Sequence, residues 1–154
     1  MKLELADIDL YYERDGAGPP LLLLHGFTGS ADEWADVLPR LAPLRDVVAV
    51  DLIGHGRSSA PDDPARYTME ACVRDLLALL DGLGLGRIDV LGYSMGGRVA
   101  LHLAAAAAAR VGRLILESAS PGIADPGERA ERAASDDALA ERIERDGLAW
   151  FVHH

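Results

Sequence analysis

The stretch Val90-Leu91-Gly92-Tyr93-Ser94-Met95-Gly96-Gly97-Arg98 restricts this chain more than any other. An apolar run enters it, a helix-forming run leaves it, and Gly92 to Gly96 fits the pattern G-x-S-x-G. That spacing has a steric origin. For its hydroxyl to stand clear of a sheet's carboxyl edge, Ser94 must occupy a strained turn with positive φ. The same turn presses the residues two before and two after the serine against neighbouring backbone, so both must be very small. Both are glycine, and Gly97 lets the following helix approach closely as well. The reading is a buried strand, a sharp elbow and a helix, with Ser94 as the candidate catalytic group.

The rest of the chain repeats this strand-then-helix rhythm. Leu3 to Glu13 alternates apolar and polar residues, as a strand or half of a hairpin would, and ends in a turn at Asp15-Gly16-Ala17-Gly18-Pro19-Pro20. Leu21 to Leu24, Val47 to Val50 and Ile88 to Leu91 are short all-apolar runs, expected of strands covered on both faces. Arg113 to Glu117 makes a fourth such strand, centred on Leu114-Ile115-Leu116. Between them the spacing predicts three helices. The first is capped by Ser30 or Asp32, carries Trp34, Val37, Leu38 and Leu41, and halts near Pro43. The second runs from Met69 to about Leu80 behind Thr68, and the third from Met95 to Ala109.

Strands alternating with amphipathic helices imply an α/β fold with a doubly wound, mostly parallel sheet and right-handed crossovers. Ligands in such sheets sit beyond the carboxyl ends of the strands, so the loops starting at His25, Asp51, Gly92 and Glu117 should meet in one crevice. Residues 1–120 form this core. Residues 121–154 are charged and alanine-rich, with Leu139, Ile143 and Leu148 at helical spacing, and read as the beginning of a helical cap.

Composition narrows the partners. At 154 residues the chain is one domain by size, able to bury about two-thirds of its unfolded surface. A formal net charge of -10 disfavours nucleic acid and anionic membranes. The single Cys72 excludes an internal disulfide and falls in a helical pattern, as a buried, inert thiol would. No basic segment followed by an apolar run opens the chain, and Leu101 to Ala109 is too short and alanine-rich to span a bilayer. The expectation is a soluble cytoplasmic protein that needs no metal and no cofactor.

The chemistry centres on Ser94. An oxyanion forming beside it needs two backbone N–H donors. The amide after the serine, Met95, offers one, and the loop past His25-Gly26 offers the other, most directly at Phe27. His25, Asp51 and His55 are read as structural groups that satisfy loop backbone. Arg98 lies one helical turn beyond Ser94 on the same face, where its guanidinium would hold a carboxylate bidentately or serve only as a solvated or ion-paired helix residue.

The segments Leu24 to Ser30, Asp51 to Ser58 and Gly92 to Arg98 together resemble the α/β-hydrolase superfamily over residues 1 to about 120. Gly92 to Arg98 with Glu117-Ser118-Ala119-Ser120-Pro121-Gly122-Ile123 is most similar to one branch, the 2-succinyl-6-hydroxy-2,4-cyclohexadiene-1-carboxylate synthases of menaquinone biosynthesis. That resemblance implies a lyase whose serine removes a proton α to an activated carbon so that pyruvate is eliminated. It implies a small anionic substrate held by Arg98, with Tyr93 lining the pocket and Arg129 or Arg132 adding a second clamp. A carboxylester hydrolase of the same fold and a non-catalytic binding module are the alternatives.

The family's triad follows the chain order serine, acid, histidine. No later strand carries a histidine here, and His102 lies roughly 12 Å along the helix from Ser94. Glu117 is a weak candidate for the acid, and His153 and His154 follow the cap-like helix. The expectation is the first part of a longer enzyme, with little activity alone. Residues 113–117 would then form an apolar edge open to self-association.

Overall fold

A computed structural model describes residues 1–153. It divides into two compact units, Met1–Pro121 and Gly122–His154, each considered by itself. The first contains a six-stranded sheet: β1 (Lys2–Glu4), β2 (Asp9–Asp15), β3 (Pro20–Leu24), β4 (Asp46–Val50), β5 (Ile88–Tyr93) and β6 (Val111–Glu117), in the spatial order β1-β2-β4-β3-β5-β6. β1 and β2 are antiparallel additions, whereas β4, β3, β5 and β6 run parallel.

The all-apolar strands are central because both of their faces are covered. Leu22, Leu24, Val48, Val50 and Val90 point to one side and pack with Cys72, Leu76, Leu79, Leu80, Val99 and Leu103 of α2 (Met69–Gly82) and α3 (Met95–Ala106). Leu21, Leu23, Val47 and Ala49 point to the other, against Ala31, Trp34 and Leu38. At the margin, Arg14 donates from Nε and Nη2 to the two carboxylate oxygens of the largely buried Asp46, at 2.8 and 2.7 Å, tying β2 to β4. The register aligns Leu24 with Val50 and Gly92, and Gly92 with Leu116. All four parallel strands therefore release their chains at one level.

Several boundaries differ from the sequence reading. Leu3 to Glu13 is two strands joined at a turn, closed by the Leu5 N–H donating to the Ile8 carbonyl at 2.8 Å. The first expected helix is broken into a 3-10 turn at Ala31–Trp34 and α1 (Leu38–Leu41). Pro39 explains the break, because a helix continuous from Ala31 would need the N–H that it lacks, whereas in the first turn of α1 none is required. α3 stops at Ala106, and a 3-10 turn at Ala108–Arg110 follows. There Arg110 reaches the carbonyls of Gly86 and Leu85 at 2.5 and 2.9 Å, drawing the chain into β6 two residues earlier than expected. Ser30 and Thr68 cap their helices as expected. In the second unit, α4 (Pro126–Asp146) begins behind Asp125 and α5 (Leu148–His153) follows Gly147. His154 lies outside the described residues.

Gly96 tests the packing of α3. A side chain there would overlap the backbone carbonyls of Leu24 and His25. On an open helix face Gly→Ala would stabilise by about 1 kcal/mol. Here overpacking reverses the sign, and Gly96→Ala is expected to lower unfolding stability by about 2 kcal/mol, read as a lower urea midpoint with an unchanged slope.

Candidate functional site

Ser94 stands between β5 and α3 with φ 50 and ψ -111, a left-handed conformation that Ser118 (φ 51) shares. Its N–H donates to the Glu117 carbonyl at 2.9 Å, which ties the elbow to the end of β6. Its own carbonyl accepts from Gly97 and Arg98 N–H at 3.1 and 3.3 Å, opening the helix. A side chain at Gly92 would overlap the Gly96 carbonyl, and one at Gly97 would overlap Ala119. The glycines that frame the serine are thus demanded by close contact, with backbone at Gly92 and with the Ala119 methyl at Gly97. The Ser94 side chain is half-buried and makes no hydrogen bond among the described residues. Met95 opens α3, so its N–H is one of the first-turn donors with no partner four residues back.

The loop after β3 packs directly on this elbow. A Cβ at Gly26 would lie 3.0 Å from Cδ1 of Tyr93 and 3.8 Å from Cβ of Ser94. Phe27 and Tyr93 are both exposed beside it. His25 is fully buried, and its Nδ1–H donates to the Gly26 carbonyl at 2.7 Å. Its Nε2 accepts from the Leu52 N–H at 3.0 Å, which fixes the tautomer. Burial pulls its pKa down against the opposing pull of that carbonyl, keeping the ring neutral. With both nitrogens engaged it braces two loops and has none to offer Ser94. His55 braces the same loop from outside, with Nε2 2.6 Å from the Phe27 carbonyl and Nδ1 3.0 Å from the Ile53 carbonyl.

Asp51 is the buried hub beneath these loops. It accepts from Ala31 N–H at 2.6 Å, Arg57 N–H at 2.7 Å and Arg57 Nε at 3.2 Å. Burial pushes its pKa up, but those donors and the Arg57 charge outweigh burial and hold the carboxyl below its ordinary range. Arg57 also reaches Asp32 at 2.8 Å and stacks 3.7 Å above the Tyr11 ring. One contributor escaped the sequence reading. Glu33 accepts from the Gly26 N–H at 3.4 Å with its carboxylate against Gly29, steadying the loop that carries Phe27. The spacing Ser30-x-x-Glu33, a capping-box pattern, was its available signal.

Arg98 is half-buried on α3, and its guanidinium has no hydrogen bond or ion pair among the described residues. Arg129 and Arg132 stand on α4 in the second unit, where Arg129 donates to the Ile123 carbonyl at 3.1 Å and Arg132 pairs with Asp136 at 2.8 Å. Glu117 is exposed at the end of β6, opposite Tyr93. Cys72 is buried, and burial with nearby Asp75 pushes its thiol up to about 12. Among the described residues no cluster of His, Cys, Asp or Glu could hold a metal ion, and no helix is long and apolar enough to cross a membrane.

Residues 19–144 match the family model described as alpha/beta hydrolase fold. A Bacillus subtilis (strain 168) protein provisionally named as a 2-succinyl-6-hydroxy-2,4-cyclohexadiene-1-carboxylate synthase is 41% identical over 140 residues, covering 91% of this chain and 51% of that relative. Lipase LipV of Mycobacterium tuberculosis (strain ATCC 25618 / H37Rv) is 41% identical over 155 residues, covering 93% of this chain and 56% of the lipase. The crystal structure of a hydrolase from Pseudomonas aeruginosa PA01 superposes with a TM-score of 0.76 at 36% identity, covering 88% of this chain and 51% of that one. The chain therefore spans about half the length of these relatives.

Replacing Asp51 by Asn would strip the hub of its charge while leaving Arg57 in place, and about 3 kcal/mol of stability should be lost at neutral pH. Because the folded pKa is lowered, the Asp51 contribution is complete above the ordinary aspartate value of 3.8 and vanishes as the pH falls through the folded value. Neutral His25 acts in the same direction, its contribution complete above 6.5 and declining as the pH falls below it. Urea unfolding across pH should show the gap between the native chain and Asp51→Asn closing only at strongly acid pH.

Proposed function

Because the chain belongs to the α/β-hydrolase family, we propose that it carries the serine, oxyanion and substrate-anchoring part of a lyase that eliminates pyruvate to form 2-succinyl-6-hydroxy-2,4-cyclohexadiene-1-carboxylate. The observation that carries this reading is Arg98. A half-buried guanidinium one helical turn from Ser94, with no carboxylate of its own, is suited to a substrate carboxylate. Within that proposal the Ser94 oxygen, once deprotonated, takes the proton α to the activated carbon. The released electron pair forms the new ring double bond and breaks the C–O bond to the leaving group, which departs as the enolate of pyruvate and takes up the proton that Ser94 removed. The N–H groups of Met95 and Phe27 face the enolate-like oxygen that forms on the way. Tyr93 forms one wall.

Ser94 needs a general base, and no described histidine is hydrogen-bonded to it. The proposal is therefore that this 154-residue chain binds product but turns over little. A second reading, carboxylester hydrolysis, is supported by the lipase at equal identity. Calorimetric titration with the cyclohexadiene dicarboxylate product separates the two. Arg98→Gln should weaken binding roughly tenfold with an unchanged melting temperature. Equal affinity of the two proteins would defeat the lyase reading, and 4-nitrophenyl ester turnover indifferent to Arg98 would favour the hydrolase.

The β6 edge supports a further proposal, that two copies of this chain associate through residues 113–117. β6 pairs with β5 alone among the described residues, and Ile115 and Leu116 are 48% and 39% exposed. Light scattering over a concentration series should show a dimer, and Ile115→Lys should return it to monomer. A native chain monomeric at every concentration would count against the pairing.

A further inference from the structure

At the opposite end of the parallel strands, the amino-terminal edge holds a depression of about 420 Å³ lined by Pro19, Pro20, Arg45, Arg87, Asp89 and Arg113, among others. We infer that this depression binds a phosphoryl dianion. Asp89 stands at its centre, fully committed to its surroundings. Its Oδ2 accepts from Arg45 Nη2 at 2.8 Å and its Oδ1 from the Arg113 N–H at 2.7 Å. Gly112 leaves the room for this, since a side chain there would overlap the Asp89 carboxylate. Arg45 is held further by the Pro19 and Pro20 carbonyls, at 2.8 and 3.1 Å.

The remaining cations have no carboxylate of their own in the depression, since Asp89 is the one acid that lines it and already pairs with Arg45. Arg87 donates from Nε to the Val111 carbonyl at 3.4 Å and forms no ion pair among the described residues. The Arg113 guanidinium has neither a hydrogen bond nor an ion pair among them. Three guanidiniums around one carboxylate leave a formal +2 in a concave site, on a chain whose net charge is -10. Like charges crowded into a depression raise the local potential, and an anion relieves it. Forked guanidiniums present paired N–H donors that match the oxygens of a phosphate, and a dianion balances the formal +2 that a monoanion would only halve. The strand β5 separates this site from Ser94 by roughly 20 Å, so its ligand would not compete with chemistry at the elbow.

Calorimetric titration of the whole chain with inorganic phosphate, and in parallel with adenosine monophosphate, tests the assignment. Saturable phosphate binding is expected, weakened roughly tenfold by Arg87→Gln and by Arg113→Gln. Arg74→Gln, which removes a positive charge from the exposed face of α2, should leave it unchanged. Tighter binding of the nucleotide would place the phosphoryl group on a larger ligand, whereas equal binding would assign the site to free phosphate. Amide shifts of the native chain provide a readout independent of the variants. Phosphate should move Asp89, Gly112 and Arg113 and leave Met95 still. Absence of saturable binding, equal weakening by all three substitutions, or shifts centred on Met95 would overturn the proposal.

Discussion

The molecule depends on how closely the first turn of α3 approaches the ends of β3 and β5. Gly96 lies against the carbonyls of Leu24 and His25, and Gly92 against the carbonyl of Gly96, with no space for a methyl group at either place. Backbone packed this tightly holds Ser94 at positive φ, and α3 could not otherwise start where it does. The Gly26 loop then rests on Tyr93 and Ser94, so three segments distant in sequence share one floor. Side-chain identity matters less at this point than the permission to have none.

Electrostatics organise the next layer. An acidic chain has few cations to spend, and they are placed unevenly. Arg57 satisfies Asp51, Asp32 and Tyr11 at once, which stiffens the loop after β4. His25 and His55 bind backbone rather than substrate, and they hold the Phe27 segment from inside and outside. At the two ends of the parallel strands stand guanidiniums without an ion pair among the described residues, Arg98 near the carboxyl edge and Arg87 and Arg113 near the amino edge.

Much of this was legible in the residues because local and global demands agree. The apolar runs Leu21 to Leu24 and Val47 to Val50 have no polar face to show solvent, so central parallel strands were the only economical place for them. G-x-S-x-G announced the elbow through its glycines. At Pro39 two signals in the residues conflict, the helical periodicity of Trp34, Leu38 and Leu41 and a missing N–H, and the missing N–H wins. Glu33 was harder, because its carboxylate serves Gly26 rather than the helix it helps to start. The early start of β6 was hidden altogether, since it depends on Arg110 reaching a loop 24 residues away.

Ser118 gives the elbow a second foundation. It turns left-handed at the end of β6 just as Ser94 does at the end of β5, and the Glu117 carbonyl preceding it accepts the Ser94 amide. The two adjacent strands thus end beside residues of positive φ and are joined there by one hydrogen bond. A change that relaxed the end of β6 would therefore reach Ser94 through its own amide, although Ser94 and Ser118 lie 24 positions apart in the chain.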